Sequence, residues 1–141
     1  MLTDILDGAM ARWIKYTLGL IPAAVPLLAH HSFAAQYDRS KQAKLTGAVT
    51  RVDWINPHAR FFIDVKDASG KVVNWEVELA SPNGLMRRGW TRNSLKIGAP
   101  VTVNGSAAKD GSSLANASTV TLSDGKRVFA GSSGDAESGT P

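Results

Sequence analysis

The chain has 141 residues, room for one domain. Its 16 Lys and Arg against 12 Asp and Glu leave a net charge of +4, spread along the chain with no run of like charges, which argues against a nucleic-acid binder. No cysteine is present, which excludes disulfides, zinc–thiolate sites and a lipidated cysteine, so the hydrophobic core must hold the fold.

Residues 1–29 read as an export signal. Asp4 and Asp7 make an odd opening, but from Met10, a candidate true start, the order is regular. Arg12 and Lys15 supply a basic region, Tyr16 to Leu28 an apolar stretch with Pro22 and Pro26, and Ala29 a small residue for cleavage. The stretch is short for a membrane span of about 20 residues, so no stable span is expected after cleavage. Leu27 is unusual three residues before such a cut, and Ala34-Ala35 offers a second site that would remove His30 and His31.

Residues 30–43 are expected to form an N-terminal arm and residues 44–130 the folded domain. Lys44 to Trp54 is rich in β-branched residues and reads as a strand with a bulge or bend at Gly47. Asn56-Pro57 is a turn, and His58 to Val65 a second strand. Asp67 to Gly70 makes a hairpin loop into Lys71 to Leu79, where Val73, Trp75, Val77 and Leu79 alternate with Asn74, Glu76 and Glu78. Ser81-Pro82 is a helix start. A short helix to Arg88 would put Leu85 and Met86 near the core, and Gly89 would end it. Strands at Pro100 to Ala107 and Ala115 to Leu122 follow, then an Asp124-Gly125 turn and a short return at Arg127 to Phe129. Residues 131–141 have no apolar content to bury and are expected to be a disordered tail.

Three meandering strands, a short helix and two further strands are the order of an all-β, five-stranded OB-like barrel, here preceded by the signal helix. An open sheet or small sandwich with one helix is the alternative. The motifs HHSFAAQYD, NPHARFFIDV and SPNGLMRRGWTRNSLKIGAPVTVNG together resemble a family of small exported bacterial proteins, a domain of unknown function. The resemblance implies export and a β-rich domain. It implies no activity and no catalytic residues.

If cleavage follows Ala29, His30 becomes the mature N-terminus, and its amine and imidazole can chelate a metal. Among divalent ions copper binds imidazole sites tightest. His30, His31 and His58 are therefore the candidate metal ligands, with copper the implied cofactor. The plainer reading is a solvated arm and a histidine capping a turn. Glu76 and Glu78, about 7 Å apart along one strand face, could serve as a catalytic carboxylate pair or orient His58; the alternation alone explains them as a polar outer face. Arg60 and Phe62 share a face that could hold a neutral ligand, although nearby acids would repel phosphates. Arg87 and Arg88, beside Trp90, could dock an anionic partner, or lie over apolar surface with their charges in water. Trp54 and Trp75 are expected in the core. No Ser-His-Asp set or phosphate loop is present, so an enzyme is not expected. The sequence therefore reads as a periplasmic or secreted binding protein whose partner is a metal ion. The alternative is a protein- or glycan-interaction module using the barrel face or the arginine patch.

Overall fold

The computed structural model describes residues 33–131; the expected signal helix, His30, His31 and the residues from 132 onward lie outside the described part. A helical turn over residues 33–36 runs into six strands: β1 (Tyr37–Asp53), β2 (Arg60–Lys66), β3 (Val72–Glu78), β4 (Pro100–Ala108), β5 (Leu114–Thr121) and β6 (Arg127–Phe129). One helix, α1 (Pro82–Arg87), lies between β3 and β4. No helix among the described residues is long and apolar enough to cross a membrane.

The sheet order is β3-β2-β1-β4-β5-β6, and a further parallel pairing joins β3 to β5. Five strands thus close into a ring, β1-β2-β3-β5-β4 and back to β1, with β6 hanging on β5 as an outer strand. The expected mainly-β class and the helix between the third and fourth strands are both present, and the sheet is not open.

Strand alternation places the core. Val49 pairs with Ile63, Val52 with Phe61, Phe61 with Val77, and Leu45 with Val103, which in turn pairs with Val120. These side chains point into the ring, and all but the partly buried Val52 are buried. Trp54 and Trp75 pack against this cluster while partly exposed.

The first strand begins at Tyr37, inside the stretch expected as an arm. The reason for the difference is local. Asp38 to Gln42 carries no inward apolar residue, and the register with β4 is broken between Tyr37 and Gln42, so no alternation marks the strand. The bend expected at Gly47 takes another form. Pairing with β4 is regular through Gly47, and the bulge on β1 falls between Val49 and Arg51. Gly47 instead permits close approach of β2: a Cβ there would lie 2.4 Å from the Asp64 carbonyl oxygen.

In α1 the Ser81 side chain caps the helix by accepting from the Gly84 N–H at 3.2 Å, with Pro82 in the first turn. Leu85 is fully buried, whereas Met86 is 51% exposed, contrary to the expectation that both approach the core. Neighbouring helical residues point about 100° apart, and a six-residue helix turns only one of them inward. Trp90 fills the adjoining space instead, buried, with its indole N–H donating to the Phe129 carbonyl at 2.8 Å.

Candidate functional site

His58 lies in the connection before β2 and is half-buried. The end of β3 is locally irregular: the Ala59 N–H donates to the Ala80 carbonyl, while the Leu79 N–H donates to the Ala59 carbonyl. That shift frees the Leu79 carbonyl, and His58 Nδ1 sits 3.1 Å from its oxygen. A carbonyl only accepts, so Nδ1 is the donor, and in the neutral ring Nε2 is the nitrogen that carries the lone pair. Backbone anchoring of one ring nitrogen is how protein-bound imidazoles are oriented toward a metal at the other. The ring is oriented by backbone and not by Glu76 or Glu78. Among the described residues no group of three or more His, Asp or Glu could hold a metal ion.

Glu76 and Glu78 project outward from β3, and their partner is Arg60 on β2. In register, Arg60 stands opposite Glu78 and Phe62 opposite Glu76. Arg60 Nη1 lies 2.9 Å from Glu76 Oε1, and Nη2 lies 3.8 Å from Glu78 Oε2. Asn116, paired with Glu78 across the β3–β5 seam, donates to Glu78 Oε1 from 3.3 Å. Tyr37 joins this group from the start of β1. It is buried apart from the main core cluster, with its ring 5.2 Å from that of Phe33. Burial above all, and then the Glu78 charge, push its phenol well above the usual range, so it stays neutral. Nothing in the local sequence signalled Tyr37 or Asn116, because strands distant in the chain bring them to Glu78.

Phe62 is half-buried beneath the Arg51 guanidinium, whose central carbon sits 3.7 Å from the ring centroid. Arg51 also pairs with Asp53 at 3.0 Å. The ring face that could have stacked a ligand is thus covered by the protein's own cation. The two arginines after α1 separate as well. Arg87 is exposed, while Arg88 lies over the Phe129 ring at 4.5 Å and donates from Nη1 to the Gly131 carbonyl at 2.7 Å. Arg88 therefore holds the backbone just after β6, with its charge on a carbonyl and not in water.

These motifs fall within one matched segment: a family model covers residues 18–117, described as a family of unknown function. The chain belongs to that family, DUF6152. The match takes in His30, His31 and His58, Arg60 and Phe62, and Arg87 and Arg88, and stops within β5, before β6. For this DUF6152 member no curated protein matches. A chain in the crystal structure of TiaS in complex with an isoleucine tRNA and ATP is similar at 23% identity and a TM-score of 0.44, covering 60% of the present chain and 18% of the other. The DUF6152 chain thus spans under a fifth of that protein's length, and the similarity carries no argument about ligand or activity.

Proposed function

We propose that this DUF6152 member is an exported, periplasmic or secreted binding module, an OB-like barrel without catalytic machinery, whose ligand is a copper ion. The observation that supports the reading is His58. Its Nδ1 is engaged by the Leu79 carbonyl, which leaves Nε2 of the neutral ring as the lone-pair donor, in the connection that leads into β2. Cleavage after Ala29 would add the His30 amine and imidazole and the His31 imidazole as further nitrogen donors. Nitrogen donors of this kind select copper most strongly among divalent ions.

The test is a copper(II) competition titration on protein exported and processed by a bacterial host, with the N-terminus read by intact mass. Two variants run beside it, one with an extra residue before His30 and one carrying His58→Ala. One-to-one binding that weakens by an order of magnitude or more in both variants is expected. Weak binding indifferent to both changes, or a mature chain beginning beyond His31, would overturn the copper reading. The search would then turn to a protein or glycan partner for the barrel face or for Arg87.

A further inference from the structure

The strand β6 is three residues long, and the ring of five strands closes without it. It nevertheless lies in a cleft with partners on both sides. On one side it pairs with β5 through Thr119, Val120 and Thr121. On the other, three consecutive carbonyls at the end of β6 are each held by a different donor from the segment around α1. The Trp90 indole N–H donates to the Phe129 carbonyl at 2.8 Å, the Ala80 N–H to that of Ala130 at 2.8 Å, and Arg88 Nη1 to that of Gly131 at 2.7 Å. Val128 and Ala130 are buried, 8% and 0% exposed, and the Arg88 guanidinium covers the Phe129 ring between them. Carbonyls belong to every peptide, so these donors read an extended backbone, and the buried positions select a β-branched and then a small side chain.

We propose that the edge of β5, with Ala80, Arg88 and Trp90, is an acceptor site for an extended strand, filled by the chain's own β6 and open to exchange with the β6 of a second copy. The covalent tie between β6 and the ring is the turn over residues 122–126, in which the Leu122 N–H donates to the Lys126 carbonyl at 2.9 Å. None of the contacts made by residues 128–131 in the cleft uses a residue of that turn. The same segment arriving from another copy therefore regains all of them, and only the turn changes course. That is the condition for exchange of an identical element between protomers. The site does not depend on the copper reading.

The experiment has two arms, both on the full chain. Deleting residues 123–126 leaves only Leu122 between β5 and β6, too few for a hairpin, whose shortest common loop is about two residues. Light scattering should then report a dimer, and adding Val128→Asp to the deletion should return it to a monomer. In the second arm, the ¹⁵N-labelled Val128→Asp chain, its own β6 unseated, is titrated with the peptide acetyl-Lys-Arg-Val-Phe-Ala-Gly-amide, which copies residues 126–131. Saturable shifts of the Trp90 indole N–H and the Ala80 amide are expected, and the same peptide with Asp in place of Val should bind about tenfold or more weakly. A folded monomer in the first arm, or no saturable shift in the second, would overturn the proposal. If the deletion variant aggregates, the peptide titration decides. Loss of the β-sheet circular dichroism signal in Val128→Asp would also overturn it, because β6 would then be part of the core and not an exchangeable strand.

Discussion

Tyr37 shows how one buried side chain links the fold to pH. The folded chain holds its phenol proton more tightly than the unfolded chain, where the ordinary value is about 10. Above that pH the unfolded state binds fewer protons than the folded one, so stability falls as pH rises. Thermal melts between about pH 8 and pH 11 should show the melting temperature dropping as the unfolded tyrosine begins to ionise. Tyr37→Phe should flatten that drop; an unchanged slope would place the alkaline loss on other groups. The opposite sign holds at three exposed Asp–Ser pairs built the same way. Asp38, Asp67 and Asp110 each accept from the hydroxyl and the backbone N–H of the serine two positions on, which holds each carboxyl below its ordinary value. Whatever these pairs contribute is present above that ordinary value and is lost as pH falls through the lowered one.

Among the elements, α1 is the most sharply divided between neighbouring residues. Leu85 is fully buried beneath the ring of strands, and Met86, one residue on, is half exposed. Leu85→Ala should therefore cost about 2–5 kcal/mol in urea unfolding, and Met86→Ala should stay within about 0.5 kcal/mol. Equal effects at the two positions would mean that α1 does not seat Leu85 in the core. The strand β1 carries the opposite lesson, because it is 17 residues long and serves two neighbours in succession. Its first part pairs only with β4, its last part only with β2, and both partners meet it around Ala48. The bulge between Val49 and Arg51 and the close backbone approach at Gly47 let one strand turn between them.

At the scale of the whole molecule, the ring is held by pairings between distant parts of the chain. Thr46 meets Thr102, 56 positions away, and Glu78 meets Asn116, 38 positions away. Closing such loops comes before the contacts that reward it, so the main refolding phase in stopped flow should fall in the millisecond-to-second range typical of non-local β folds. A sub-millisecond main phase would contradict a ring closed by β3 and β5. The same distinction separates what could be read from the chain from what could not. Alternation at Val73 to Leu79, the Ser81-Pro82 helix start and the Asp124-Gly125 turn are signals carried within a few residues, and each predicted its element. Membership in a family of unknown function was likewise legible in short motifs, since such motifs are properties of sequence. The start of β1 at Tyr37 was not, because polar residues exposed on both faces leave no period to read. Nor were the partners of the candidate side chains. His58 found a carbonyl freed by an irregularity at the end of β3, Phe62 was covered by Arg51 across a strand pair, and Arg88 was drawn onto Phe129. The Tyr37, Arg60, Glu78 and Asn116 cluster draws one residue each from β1, β2, β3 and β5. The local sequence determined which segments form strands, helix and turns, because those preferences act over a few bonds. Only ring closure decided which charges and hydroxyls face one another, because that depends on burying the whole core at once.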